Sequence, residues 1–269
     1  EVANCIIQGS PQMGIKTTHY GVIHDNLIKT NIKVTNGYGV AGYGSDYLQV
    51  YNNSIIADNG RGIHLSEGSM GWLVHDNYVQ VRERGNAEYA TLQTHGIKFE
   101  GTTGSSVYDN VVESISTTVV EGGVTYHGQP TPLNLDLADG ANNLVRNNVF
   151  IARNVASEPA YGIYALASDG TGSTLRDFDV YSNNISVRTP WDGAWDHTFR
   201  RLDFRKIASG DTVSFISFGN SPSIVSTNNR FIDCSWHDIN NKSYAFYTAG
   251  ANAEDRKSTR LNSSHVSQS

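Results

Sequence analysis

Three short stretches hold the side chains best suited to chemistry. They are Arg-Gly-Ile-His-Leu-Ser-Glu-Gly at 61–68, His-Gly-Ile-Lys-Phe-Glu-Gly at 95–101 and Asn-Leu-Asp-Leu-Ala-Asp-Gly at 134–140. Each sets basic groups, or an aspartate, a few residues before a further carboxylate. If the stretches lie side by side, His64, Lys98 and Asp136 form one file, flanked by Arg61 and His95 and followed by Glu67, Glu100 and Asp139. Such a cluster suits two kinds of bond cleavage. In an elimination, a proton is removed next to a carboxylate while a neighbouring oxygen departs. Lys98 is then the candidate base, His64 or His95 the assisting acid, and Arg61 the group that neutralises the substrate carboxylate. Glu67, Glu100 and Asp139 offer the oxygen ligands that Ca²⁺ favours. In a hydrolysis, two carboxylates drawn from Glu100, Asp136 and Asp139 flank the scissile bond, about 5–5.5 Å apart for retention or about 6.5–9.5 Å for inversion.

The elements that would align these stretches are legible as a repeat. A Gly-Ile-x-Leu strand and a glycine-bearing turn are followed by Val-x-x-Asn-x-Ile, as in GIHLSEG then LVHDNYV, or GIKFEG then SVYDNVV. The asparagines fall at Asn26, Asn53, Asn77, Asn110, Asn148 and Asn183, with a looser match at Asn229. Repeats of this length mean a solenoid, in which each unit buries its apolar side only against its neighbours. Alternation places Ile63, Leu65, Ile97 and Phe99 inside, with His64, Ser66, Lys98 and Glu100 outside. Aligning Gly14-Ile15, Gly39-Val40, Gly62-Ile63, Gly96-Ile97, Asn134-Leu135 and Gly162-Ile163 gives the outward column Lys16, Ala41, His64, Lys98, Asp136, Tyr164, about 4.8 Å per step. This predicts an exposed patch some three strands tall. The asparagines are expected to stack and hydrogen-bond inside a bend, a structural role. A second outward column, His24, Tyr51, His75, Tyr108, Arg146 and Tyr181, is also expected to be structural.

Three segments at 80–95, 113–133 and 188–198 read as long loops on one edge, walling a groove over the Gly-Ile sheet. They supply Tyr126, His127, Trp191 and Trp195 as substrate-contacting candidates, with Tyr164 beside the file. The chain is 38% hydrophobic and 17% charged with 26 glycines, a composition that favours all-β structure. A net charge of −6 argues against nucleic acid as a partner. No apolar run approaches the ~20 residues of a membrane span. Cys5 and Cys234 fall in the first and last repeats, too far apart to pair. Residues 255–265, DRKSTRLNSSH, resemble a translated sequencing adapter. One domain is therefore expected over 1–254, with a non-native tail at 255–269 and native ends missing on both sides.

The Gly-Ile-x-Leu and Val-x-x-Asn-x-Ile pattern resembles the right-handed parallel β-helix of pectate-lyase-like proteins, over roughly residues 3–250. The resemblance implies an all-β, right-handed solenoid of about eight to nine coils, with the Gly-Ile sheet lining a polysaccharide groove. It also implies a protein that is secreted or surface-associated. The superfamily holds polysaccharide lyases, polygalacturonase-like hydrolases, uronan epimerases and phage tailspikes. The chain has no epimerase-type Asp-Pro-His and no complete lyase signature around a lysine. The leading expectation is a lyase acting on a uronate-containing glycan, with Ca²⁺ as its candidate cofactor and no organic cofactor. The alternatives are a hydrolase with paired carboxylates and a non-catalytic glycan-binding spike or adhesin. Oligomeric state is left open.

Overall fold

The structure is a computed structural model of the 269-residue chain. It describes residues 1–10, 12–31, 37–66, 68–84, 93–127, 129–136, 142–153, 161–166, 174–182, 185–189, 198–206, 214–218, 230–237 and 244–248. The described residues contain no helix. One sheet holds nine parallel strands, each bonded to its counterpart in the next coil: Met13–Thr17, Tyr38–Tyr43, Arg61–Ser66, Gln93–Glu100, Gln129–Asp136, Tyr161–Leu166, Ile185–Thr189, Ser214–Phe218 and Tyr244–Thr248. A second, 17-stranded sheet forms the rest of each winding. This is a parallel β-helix. Ile63, Leu65, Ile97, Phe99, Leu133 and Leu135 are fully buried between the sheets, as alternation requires.

The glycine of the Gly-Ile unit is there because backbone passes over backbone. A Cβ added at Gly62 would lie 2.4 Å from the Gly96 carbonyl oxygen and 2.3 Å from Val79 Cγ1. The ladder skips this position: Tyr38 pairs with Arg61 and Val40 with Ile63, with no pair between the glycines. The skip resets the side-chain phase. Strict alternation would put Arg61 with Ile63, yet Arg61 and His64 both meet Tyr38 on the outer face.

At the other bend, the residue before each asparagine is left-handed: Asp25, Asn52, Asp76, Asp109 and Asn147 have φ of 55°, 53°, 54°, 56° and 52°. Asp and Asn tolerate that region best among residues with a Cβ. The asparagines then form the expected ladder. Asn53 N and Nδ2 both donate to Asn77 Oδ1 at 3.0 Å, and Asn77 Nδ2 donates to Asn110 Oδ1 at 2.9 Å. The same pattern runs from Asn26 to Asn148. It does not continue into the C-terminal coils. Asn183 and Asn229 lie outside the described residues. The left-handed bend there falls at Asp177, Arg201 and Asp233, which puts Phe178, Leu202 and Cys234 at the ladder position. The coils at 199–207 and 231–239 pair as their apolar spacing predicts, Phe199 with Phe231 and Phe204 with Trp236. Cys5 and Cys234 are both free.

The segment 113–133 is not a loop. Val111–Glu121 folds back on Val124–His127 as an antiparallel hairpin, and Gln129–Asp136 follows. Gly122 and Gly123, with φ of 58° and 80°, make the two-residue turn that the twist of a hairpin favours. The strand Tyr78–Arg84 likewise takes the start of 80–95.

Candidate functional site

Lys98 lies directly across from His64 in the sheet, as the repeat predicts. The third member of the file is not the expected carboxylate. Gln129–Asp136 pairs Leu133 with Ile97, Asn134 with Lys98 and Asp136 with Glu100. The expected file is thus shifted by two residues, and Asn134 stands where Asp136 was placed. A shift of two keeps every side chain on its face, so the apolar pattern cannot detect it. What decides it is the glycine position, taken in this coil by Pro132, whose Cα and carbonyl oxygen lie against Gly96.

The cluster is also not the exposed patch expected from alternation. His64, His95 and Lys98 are only 1%, 4% and 6% exposed. Glu100 is the member that reaches solvent, with 38% of its side chain exposed. Its Oε2 lies 2.6 Å from His64 Nε2 and 2.9 Å from Lys98 Nζ. The His64 contact, together with Lys98, holds the Glu100 carboxyl down at about 2, outweighing the opposing effect of partial burial. Burial dominates at His64 and pushes its imidazole down to about 4, although the Glu100 contact pulls the other way. His64 is therefore neutral at pH 7 and gives its Nε2 proton to Glu100. Its Nδ1 keeps a lone pair, and this atom is buried with no partner among the described residues.

The neighbouring coils complete the face. The Tyr38 ring stacks on His64 at 4.9 Å, and its hydroxyl accepts from Arg61 Nη1 at 2.9 Å. Tyr43 meets His64 edge-on at 5.9 Å, and Lys16 Nζ lies 5.0 Å from the centre of the Tyr43 ring. Burial and the Tyr38 hydroxyl push the Tyr43 phenol above its usual range, so it keeps its proton. On the other side, Asn134 Nδ2 donates to His95 Nε2 at 2.9 Å. Burial holds His95 well below its ordinary value, as do the positive charges of Arg61 and Lys98. His95 Nδ1 and Asn134 Oδ1 have no partner among the described residues.

His64, Lys98, Arg61 and Glu100 are thus brought together, with His95 buried behind them. Tyr38, Tyr43 and Asn134 are members that inspection of His, Lys and carboxylates alone misses. The signal was present, because Tyr38 occupies the position before the glycine that Arg61 also holds. Asp136 and Tyr164 take their backbone places opposite Glu100 and Asn134, while their side chains lie outside the described set. The same holds for the side chains of Tyr126 and His127, which sit in the hairpin strand Val124–His127. Glu67, Asp139, Trp191 and Trp195 lie outside the described residues altogether. Among the described residues no three His, Cys, Asp or Glu side chains gather as a metal site. Of the residues expected to hold Ca²⁺, only Glu100 lies among the described ones, and His64 and Lys98 engage it.

No family model and no curated protein matches the chain. A solved structure that it resembles is an alginate lyase from Paenibacillus sp. str. FPU-7, with a TM-score of 0.49 and 11% identity over 90% of this chain and 88% of that one. A likeness at that level fixes neither family nor activity. Among the described residues, no helix is long and apolar enough to cross a membrane.

Proposed function

We propose that this β-helix is a pectate-lyase-like polysaccharide lyase, secreted or displayed at the cell surface, that cleaves a uronate-containing glycan by β-elimination on its Gly-Ile sheet. The observation that carries the reading is the convergence of a neutral imidazole and an ammonium on one half-exposed carboxylate, with a proton-bearing phenol against that imidazole and a guanidinium on the Tyr38 ring stacked over it. In this reading Arg61 and Lys98 neutralise the sugar carboxylate and the negative charge that spreads onto it when the ring proton leaves. Lys98 was the expected base. Its ion pair with Glu100 makes it a donor instead, so the ring proton goes to the half-exposed Glu100, whose carboxylate His64 Nε2 and Lys98 hold in place. Tyr43 returns a proton to the departing oxygen.

The test is a panel of uronans followed by the ultraviolet absorbance of the unsaturated product, with and without Ca²⁺ and chelator. Lys98→Ala lowers turnover by about 10²–10⁴-fold, the range of a well-placed charged or proton-transferring group. Lys98→Arg keeps part of the rate if Lys98 acts as a cation, and loses all of it if Lys98 is the base. A second reading has its own support: Glu100 and Asp136 are register partners on adjacent strands, which offers two carboxylates on neighbouring coils as paired-carboxylate hydrolysis requires. It predicts new reducing ends without absorbance, abolished by Asp136→Asn. Glycan binding that survives both substitutions with no product would make the protein a binding spike.

A further inference from the structure

In the turn that follows each of the first five strands of the Gly-Ile sheet, one matched position lies in the left-handed region, in addition to Gly44, Gly68 and Gly101 earlier in three of those turns. The matched position holds, in order, Tyr20, Tyr47, Gly71, Gly104 and Asn142, with φ of 58°, 57°, 67°, 62° and 58°. The alignment is set by backbone bonds from Tyr20 N to Asp46 O, Tyr47 N to Met70 O and Gly71 N to Thr103 O. Glycine and asparagine take this conformation with little strain, and tyrosine does not. Two successive coils nevertheless place a tyrosine there and expose it, 74% for Tyr20 and 47% for Tyr47. The turn itself does not require them, because the next two coils make it with glycine.

The two rings form a built surface. They stack at 5.4 Å with planes 16° apart. The Tyr47 ring also lies over Gly71, where an added Cβ would come within 2.7 Å of it. The turn beneath is tied down: Asp46 Oδ1 accepts from Met70 N at 3.1 Å, and Asp46 Oδ2 lies 3.3 Å from His19 Nδ1. Tyr20 and Tyr47 follow Lys16 and Tyr43 by four residues in the same two coils. Lys16, Tyr43 and His64 are in successive contact, and the tyrosine pair sits in the turns that leave the two strands carrying Lys16 and Tyr43.

We infer that Tyr20 and Tyr47 form a sugar-stacking subsite, holding a further unit of the uronate-containing chain that is cleaved at the His64 face. The ligand class rests on the lyase reading. The physical match is that the weakly positive C–H face of a pyranose lies well on the electron-rich face of a phenol ring, while Lys16 meets the uronate charge. Two rings and one lysine are too small an area for a stable protein partner, and they fit a polymer bound unit by unit.

The experiment measures binding of short and long fragments of polyguluronate, polymannuronate and polygalacturonate by calorimetry, beside product absorbance, for the full chain. Tyr20→Ala and Tyr47→Gly each reduce the affinity advantage of long over short fragments by about tenfold. Tyr47→Gly also holds or raises the melting temperature, because glycine relieves the left-handed strain. Loss of melting temperature in Tyr47→Gly with an unchanged length dependence assigns the tyrosines to packing and overturns the inference. So does absence of binding to every fragment. Length-dependent binding that the variants weaken, with no unsaturated product from any uronan, keeps the subsite and removes the lyase. Product formation with a length dependence blind to both tyrosines does the reverse.

Discussion

Two outward columns of this β-helix use nearly the same residue types and end in opposite states. On the asparagine side, His24, Tyr51, His75 and Tyr108 stack at 4.9, 5.1 and 4.7 Å with nearly parallel rings, and Arg146 caps Tyr108 at 4.4 Å. Each imidazole has its own carboxylate, His24 on Asp25 at 2.6 Å and His75 on Asp76 at 2.8 Å. The rings there are matched one coil away, and the imidazoles by carboxylates beside them in the chain. On the Gly-Ile side, one carboxylate serves both His64 and Lys98. The imidazole is buried with an unmatched nitrogen, and each of the next two coils adds one more buried atom unmatched among the described residues, on His95 and on Asn134. Buried polar groups in folded proteins are nearly always paired. A column whose imidazoles each have a carboxylate beside them reads as scaffold, and one in which a single carboxylate is shared by an imidazole and an ammonium reads as the candidate site.

Removing a scaffold asparagine is the strongest test of that contrast. Asn77→Ala deprives Asn53 N and Nδ2 of their shared acceptor and Val50 O of a donor. Asn53 Nδ2 keeps its bonds to Ile23 O and Tyr51 O, so two groups losing a partner at about 1–3 kcal/mol each give an expected loss of at least about 2 kcal/mol in urea unfolding. A loss below about 1 kcal/mol would remove the ladder from the list of what holds the coils together.

The site should next reveal itself through pH. The His64 imidazole titrates near 4 in the folded chain and near 6.5 when free. Between those values the unfolded chain binds the extra proton, so stability is complete above about pH 6.5 and falls as pH drops toward 4. Glu100 adds to the fall only below about 4.5, because its folded value is about 2. The expected loss by pH 4 is about 2 kcal/mol, and His64→Asn should flatten the melting-temperature profile in that window. A variant that tracks the wild type through it would show that His64 is not held neutral.

The outer stack makes the smallest difference. Tyr51→Ala removes two ring contacts on a partly exposed surface and should cost about 1 kcal/mol in thermal unfolding. Product formation from a uronan should stay within error of wild type. A marked loss of product would move that column from scaffold to site.

Several parts of this molecule were legible in the chain alone, because they depend on local periodicity. The buried set Ile63, Leu65, Ile97 and Phe99, the asparagine ladder and the contact between His64 and Lys98 follow from a period of two and a repeated motif. Other parts needed the third dimension. Whether Asn134 or Asp136 stands beside Lys98 turned on a shift of two residues, invisible to hydrophobic alternation and settled by Pro132 packing on Gly96. That Arg61 shares a face with His64 was legible from its place before the glycine, and the structure adds the reason, the phase reset there. The end of the asparagine ladder at Asn148 was set by where the left-handed bend falls in later coils. Burial was the largest difference, since period says only which way a side chain points. How much water remains there depends on neighbours far away in sequence. That is why a column expected to be a charged surface proved to hold a neutral imidazole, closed in beneath a single half-exposed carboxylate.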